Sequence, residues 1–488
     1  MGGRRADHFV WTMHNLKRGC PPLPKSLVKV AMEKHKNTLT KVTHTPIEIL
    51  VHVEKVVKEM LRDYRPDNDL SAPVSRHSCT ERTRIRGGAQ SFLSDQVYGV
   101  SSMSLRKAAI INSYGQKHRV DVRNRILHST MTNEGPQPVR VTCVDDACKA
   151  RIITIESSNN SILKSVTTSL NRFIGSRPQF QLIRGARLSD LLKDEVLDEG
   201  KFWVSGDYTS ATDNLNKDLT DVVGGVILRK LPWELQDCYK QNYGKHLLVY
   251  PDGEEIVQTN GQLMGSLSSF NNLCLINFGV YDYCRSKMPS EFSEWVKING
   301  DDIAFQATRN GFEYWKTVVG SCGLVSTQGK SYLSANYCTI NSELHRMDTR
   351  SRIGFVNFSN LMGKLDQKDS DTFRSKETLL ENIGSIARAF RESLSDSYST
   401  RSIELFESKY KKILKGKELW VPIPFGGLGG KDIKTFIAEG GNVRPIVKSK
   451  SNDETCAASR ATRMMENELC TYPGERLLIK TPQHIFIG

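Results

Sequence analysis

The sequence predicts a mixed α/β (α+β) fold organised around a split βαβ sheet, and three observations carry that prediction. Glu294–Ile298 and Ile303–Gln306 alternate in polarity and are joined by Asn299-Gly300-Asp301-Asp302, which reads as a β-hairpin whose tight turn holds two adjacent carboxylates. Upstream, Phe202–Ser205 is a short, mostly apolar strand that Gly206 carries into a third carboxylate, Asp207. An apolar helix, Phe270–Arg285, precedes the hairpin, and a helix near Phe312–Val319 and a strand near Tyr337–Ile340 follow it. Strand, helix, hairpin, helix, strand is the chain order of a split βαβ sheet.

The remaining elements extend this frame at both ends. Pro46–Arg62 has apolar residues at helical spacing and predicts an amphipathic helix. Ser75–Gln90 is polar, basic and closed by Gly87-Gly88, as in a surface loop, and residues 98–135 read as helical in part. Val139–Glu156 holds two β-branched runs around an acidic turn and predicts a strand pair from which Lys149 and Arg151 project. Asp213–Arg229 predicts a helix with Asp218 and Asp221 in its early turns. An insertion at 231–258 contains a strand at His246–Tyr250 and a turn at Pro251-Asp252-Gly253, and Gly261–Ser269 is a Gly/Ser loop. After about residue 346 the chain is polar and helical until the Pro/Gly segment Val421–Gly430, which predicts a rigid loop.

The chain has 488 residues and a formal net charge of +14, which suggests a polyanionic partner, nucleic acid first and an anionic membrane second. The excess is concentrated: Arg76 to Arg187 holds 18 Lys/Arg against 7 Asp/Glu. The 11 cysteines are scattered, with Cys143 and Cys148 the closest pair and no second pair or His doublet at zinc spacing. Reduced, structural thiols of an intracellular protein are the expectation. No apolar run is long enough to span a bilayer, and there is no secretory signal pattern.

Carboxylates delivered from separate strands suit Mg²⁺, which takes hard oxygen ligands and shares its shell with substrate phosphates. Phosphoryl or nucleotidyl transfer is therefore the leading chemistry. Gly-Asp-Asp alone is a weak signal, but it stands in ordered company. Asp207 and Asp213 lie in Gly-Asp-Tyr-Thr-Ser-Ala-Thr-Asp-Asn, Gly265 and Ser266 in Gly-Gln-Leu-Met-Gly-Ser-Leu-Ser-Ser-Phe, then come Asp301 and Asp302, then Lys330 in Gly-Lys-Ser-Tyr. This set resembles the palm motifs of viral RNA-dependent RNA polymerases. In detail it resembles the ourmiavirus (botourmiavirus) branch, related to narnaviruses and more distantly to leviviruses. The resemblance covers about residues 75–345, with a weaker echo in the Gly-Gly-Leu-Gly of Pro422–Gly430.

The resemblance implies a right-hand polymerase. Residues 1–205 would form an N-terminal region and fingers. Residues 206–345 would form the palm, with a fingers insertion at about 216–258, and residues 346–488 a mostly helical thumb and C-terminal extension. Asp207 and Asp301 would bridge two Mg²⁺ ions (Mn²⁺ being an alternative) with Asp302 in support, and Lys330 would protonate the leaving pyrophosphate. Lys149 and Arg151, on one face of a strand, would grip the nucleoside triphosphate. Asp213 would sense the ribose 2′-hydroxyl with Ser269 and an Asn. Many such enzymes have Thr followed four residues later by Asn. Here Ser269 is followed by Leu273 at that spacing, which leaves Asn271, Asn272 and Asn277 open. Arg76, Arg82, Arg84 and Arg86 would contact template phosphates, and Gly265 and Ser266 would let a loop approach the template–substrate pair.

The implied partners are a single-stranded RNA template, nascent RNA and nucleoside triphosphates, with a positive-sense RNA genome. The expected setting is the host cytoplasm, with a mitochondrial or membrane-associated site left open. The rivals are a reverse transcriptase, for which Tyr208 beside Asp207 would be the steric gate, and an RNA-packaging protein, which needs neither Asp207 nor Asp301.

Overall fold

The computed structural model describes residues 4–16, 23–66, 77–98, 120–128, 135–146, 149–327, 329, 331–362, 376–394, 399–414 and 416–441. Arg76, Cys148, Lys330 and much of the 98–135 stretch lie outside the described residues. The chain divides into two compact units, residues 22–352 and residues 353–488 together with 1–21, which carry helix α1 (Arg4–Asn15).

In the larger unit, helix α2 (Lys25–Leu39) is followed by α3 (Ile47–Met60), the predicted amphipathic helix. Pro46 caps α3, and Ile49, Val53 and Val57 form its buried stripe. After α4 (Gly88–Tyr98), β1 (Gln137–Asp146) and β2 (Lys149–Ile155) form the predicted strand pair. The insertion supplies β4 (His246–Val249) and β5 (Glu255–Val257) to the same sheet, in the order β2-β1-β4-β5. β4 runs parallel to β1, so two segments about 100 residues apart in the chain form one surface. The helix of the insertion, α7 (Trp233–Tyr243), buries Leu235, Cys238 and Tyr239.

The second four-stranded sheet carries the acidic turn. Its order is β6-β7-β3-β8, all antiparallel, with β3 at Phe202–Gly206, β6 at Phe292–Asn299, β7 at Asp302–Ala307 and β8 at Tyr332–Ser334. This is the predicted split βαβ arrangement with one correction. The edge strand is β8, whereas Tyr337–Ile340 (β9) pairs with Glu343–Arg346 (β10) in a sheet of its own. Alternation marks a strand without naming its partner. β9 still lies against the larger sheet, where Ser205 Oγ accepts from the Thr339 amide at 2.8 Å.

Helices α8 (Ser269–Lys287) and α9 (Arg309–Ser321) cover one face of this sheet. α8 is buried nearly all round, as a central helix must be. Phe305 and Trp315 are wholly buried here, each worth about 1.5–3 kcal/mol. Trp203, Ala304, Cys338 and Ile340 form a second core on the opposite face.

The helix predicted over Asp213–Arg229 is instead two, α5 (Ala211–Asn214) and α6 (Lys217–Leu228). Tertiary bonds outcompete helix propensity at the break. The Leu215 carbonyl accepts from Gly261, and the Asn216 amide donates to the Cys322 carbonyl.

In the smaller unit, α10 (Lys376–Ser393) and α11 (Ser399–Leu414) pack through Phe390 and Phe406, stacked at 5.1 Å. The Pro/Gly loop lies on α10, where Arg388 Nη2 donates to the Gly429 carbonyl at 2.9 Å. α1 joins this unit through Trp11, edge-on to Phe355 at 6.5 Å.

Candidate active site

The acidic turn is a two-residue loop. Asn299 and Asp302 close the ladder, with Gly300 (φ +70°) and Asp301 between them, the pattern of a type II′ turn. Gly206 pairs with Ile303, so the chain leaves β3 at Asp207 level with Asp302. Asn277 of α8 ties the two acidic segments together. Its Oδ1 accepts from the Tyr208 hydroxyl at 2.8 Å and its Nδ2 donates to the Gly300 carbonyl at 3.1 Å, both bonds buried. The Gly300 amide donates to Cys274 Sγ at 3.2 Å. Ser331 clamps Asp207 from the other side, its Oγ accepting from the Asp207 amide at 3.0 Å and donating to the Asp207 carbonyl at 2.8 Å. Asn299 Nδ2 donates to Asn341 Oδ1 at 2.8 Å.

The two carboxylates lie within each other's field. Desolvation, and then the charge of Asp207, push the Asp301 carboxyl above its ordinary value, while Arg151 and Lys149 pull it back. Two mutually repelling carboxylates make a site that seeks cations. Among the described residues no group of three or more His, Cys, Asp or Glu is close enough to hold a metal ion unaided. A pair of carboxylates that leaves positions for water and phosphate oxygen is the donor set Mg²⁺ accepts.

Asp213 lies within the field of the same two cations. Burial pushes its carboxyl up to about 6, against the Thr212 hydroxyl, Lys149, Arg151 and Lys34, which favour the charged form. Lys149 and Arg151 are two residues apart on β2, facing the same way, and act on both Asp301 and Asp213. The structure thus brings together Asp207, Asp301, Asp213, Lys149 and Arg151 from three separate segments.

A solved structure, the RNA-dependent RNA polymerase of a human picobirnavirus, superposes with a TM-score of 0.58 over 94% of this chain and 87% of that one, at 11% identity. The fold is that of a viral RNA-dependent RNA polymerase. In sequence the chain is 28% identical over 280 residues to the RNA-dependent RNA polymerase of Ourmia melon virus, covering 50% of this chain and 31% of that protein. It is 25% identical over 349 residues to the RNA-directed RNA polymerase of Saccharomyces 20S RNA narnavirus, covering 66% of this chain and 41% of that one. The matches span less than half the length of either relative. No protein-family model matches. The chain is thus ourmiavirus- and narnavirus-like, and the β6-β7-β3-β8 sheet with α8 and α9 carries the acidic motifs.

Around this sheet, several predicted residues have internal hydrogen bonds. Asn272 is fully buried, and its Oδ1 accepts from the Tyr239 hydroxyl at 3.2 Å, which makes it a core residue rather than a reader of sugar. Ser269 Oγ donates to the Leu263 carbonyl at 2.7 Å, and Asn271 Nδ2 reaches the Thr167 carbonyl at 3.5 Å. Asn277 is the strut described above, so none of the three asparagines has a bond to Asp213 among those that define its place. Gly265 (φ +116°) lies against β2, where a Cβ would meet the Thr154 carbonyl oxygen at 2.5 Å. Ser266 is 8% exposed and donates to Asn242 Oδ1 at 3.0 Å. Arg82 is paired with Asp95 and Ser91, both at 2.6 Å, while Arg84 and Arg86 are exposed on a single 3-10 turn. Tyr208 is buried, its ring 5.9 Å from that of Trp315.

Four residues around the site escaped sequence reasoning: Lys34, His35, Tyr250 and Glu156. Glu156 is buried beneath the 261–269 loop, bonded to Asn160 Nδ2 at 2.9 Å and to Asn242 Nδ2 at 3.1 and 3.0 Å through its two oxygens. No motif marks these four. Ser331 was within reach, since it follows Lys330 in the quoted Gly-Lys-Ser-Tyr.

Proposed function

We propose that this chain is an RNA-directed RNA polymerase that replicates and transcribes a single-stranded, positive-sense viral RNA genome. The observation that carries the reading is the convergence of Asp207 and Asp301 at one end of the palm sheet, with Lys149, Arg151 and Asp213 in the same field. The oxygen of an RNA 3′-hydroxyl attacks the α-phosphorus of a nucleoside triphosphate. The bond from that phosphorus to the bridging oxygen breaks, pyrophosphate leaves, and the hydroxyl proton passes to solvent. Asp207 and Asp301, with Asp302 in support, would hold Mg²⁺ or Mn²⁺, which lowers the pKa of the attacking hydroxyl and neutralises charge on the leaving group. Lys149 and Arg151 bind the triphosphate through charge-assisted hydrogen bonds. Asp213 accepts the ribose 2′-hydroxyl, so a deoxy substrate leaves a half-buried carboxylate short of one partner.

The exposed Arg84 and Arg86 contact template phosphates, and Lys330 donates a proton to pyrophosphate. The host cytoplasm is the proposed site of action. Among the described residues no helix is long and apolar enough to cross a membrane. The burial of Tyr208 speaks against the reverse-transcriptase reading. A gel assay of purified protein with an RNA template and the four nucleoside triphosphates tests the proposal. Product from the wild type and none from Asp301→Ala, with RNA binding equal in both, is the expected result. Equal synthesis by both would overturn it.

A further inference from the structure

Asp213 is backed by a buried polar pair from two distant segments. His35, on α2, is 5% exposed, and Tyr250, at the end of β4, is 3% exposed. The Tyr250 hydroxyl lies 2.8 Å from His35 Nδ1, and His35 Nε2 faces Asp213 Oδ1 at 4.0 Å. Burial pushes the imidazole down to about 4, so the ring is neutral near pH 7 and carries one proton. Burial also holds the Tyr250 phenol above its ordinary value, so it keeps its hydrogen. An ionised carboxylate can only accept, which places the ring proton on Nε2, toward Asp213, and leaves Nδ1 to accept from Tyr250.

The support is rigid. Lys36, next along α2, donates to Asp252 at 2.7 Å and to Glu254 at 2.5 Å, and its ammonium lies 4.9 Å from the centre of the Tyr250 ring. The Leu39 carbonyl accepts from the Thr259 and Asn260 amides at 2.9 and 3.0 Å. Gly261 (φ +68°) closes the joint. A Cβ there would meet the Asp213 carbonyl oxygen at 2.5 Å and Leu39 Cδ2 at 2.8 Å, so only glycine lets α2 and α5 approach this closely.

We propose that His35 is a positioning residue for sugar selection: its Nε2–H, oriented by Tyr250, engages one oxygen of Asp213 and turns the other toward the 2′-hydroxyl of the incoming nucleotide. Thr212 Oγ1 lies 3.3 Å from the same Oδ1, which makes this the inward oxygen and leaves Oδ2 for substrate. The 4.0 Å gap is about 1 Å longer than a hydrogen bond, and the contact requires the carboxylate to turn toward His35 when the nucleotide binds. Lys34, Lys149 and Arg151 are the charged groups that also act on Asp213, and all three hold it ionised and ready to accept.

The inference rests on the polymerase reading and is tested on the ratio of kcat/KM for a ribonucleotide to that for its deoxy analogue, in single-nucleotide extension by the full chain. His35→Phe keeps the ring and removes both nitrogens, and the ratio is expected to fall about tenfold, the scale of one lost hydrogen bond. His35→Gln, which restores an N–H near the Nε2 position, is expected to recover most of it. Tyr250→Phe, a milder change that tests the point even if His35→Phe fails to fold, is expected to lower the ratio about threefold. A ratio unchanged in both Phe variants, or equal losses with both sugars, would overturn the role of His35. Absence of any synthesis by the wild type would instead overturn the polymerase reading.

Discussion

Asp301 and Asp213 bear the same group and feel the same two cations, yet different kinds of structure hold them. Asp301 sits on a two-residue turn between neighbouring strands, and its partner Asp207 leaves the adjacent strand of the same sheet. Local backbone geometry sets this end of the site, with Asn277 and Ser331 as braces. Asp213 lies on a one-turn helix with little order of its own. Its surroundings are assembled from α2, β2 and the end of β4, and the His35–Tyr250 bond alone joins residues 215 apart in the chain. The end that would hold metal is a property of one hairpin and its neighbour. The end that would read sugar is a property of the whole larger unit. The first can fail only as a whole, whereas the second can be adjusted by degrees.

Substitutions should separate the two ends by size and kind of effect. Asp207→Ala or Asp301→Ala is expected to lower synthesis by roughly a thousandfold or more with either sugar, because the electrostatic stabilisation of the transferring phosphoryl group goes with them. Stopped-time extension assays with ribo- and deoxyribonucleotides would show it, and residual synthesis within tenfold of wild type would break the distinction. Arg151→Ala, which alters the shared cation pair, is expected to raise KM about 10–100-fold for both sugars, the scale of a lost charge-assisted hydrogen bond, with the larger rise for the ribonucleotide because Arg151 also holds Asp213 ionised. A change confined to one sugar would assign Arg151 to that end alone. Asp213→Asn should lower the ribose preference about tenfold while deoxynucleotide incorporation changes little. Loss of both activities would mean that Asp213 serves the metal end too.

Smaller effects report on the supports. Asn277→Leu removes two buried hydrogen bonds under the acidic turn and should destabilise the larger unit by about 2–4 kcal/mol, read as a lowered melting temperature. An unchanged melting temperature would show that the strut carries no stability. Glu156, beneath the 261–269 loop, gives a signed pH effect. Burial raises its carboxyl from 4.5 in the unfolded chain to about 7 in the folded one. Between those values the folded state keeps a proton that the unfolded chain has released, so stability falls as pH rises from about 4.5 to 7 and levels off above. The total loss across that range is on the order of 3 kcal/mol. Glu156→Gln should flatten that part of the curve, and an identical pH profile in the variant would contradict it.

The same contrast explains what could be read from sequence. The acidic hairpin was legible because turn chemistry and alternation are local signals, and they place Asp301 and Asp302 without reference to the rest of the chain. The order of elements pointed to the split βαβ sheet, although not to its edge. Tyr337–Ile340 alternates as a strand should, while three-residue β8, which takes the place beside β3, carries little periodicity of its own. The break at Leu215 and Asn216 was invisible because it depends on partners at Gly261 and Cys322. Strand spacing puts Lys149 and Arg151 on one face, and the role as a triphosphate pair comes from the family resemblance. His35, Tyr250 and Glu156 were not legible, since a lone His, Tyr or Glu in an unremarkable segment acquires meaning only when distant chain closes around it.

One measurement bears most directly on the central reading. A short RNA primer–template is incubated with the purified chain, Mg²⁺ and a single nucleotide at a time, in both ribo and deoxy forms. Extension by one residue is expected, faster with the complementary ribonucleotide than with its deoxy analogue and abolished by Asp301→Ala. Extension with the complementary deoxynucleotide at equal rate, or no dependence on template, would contradict it.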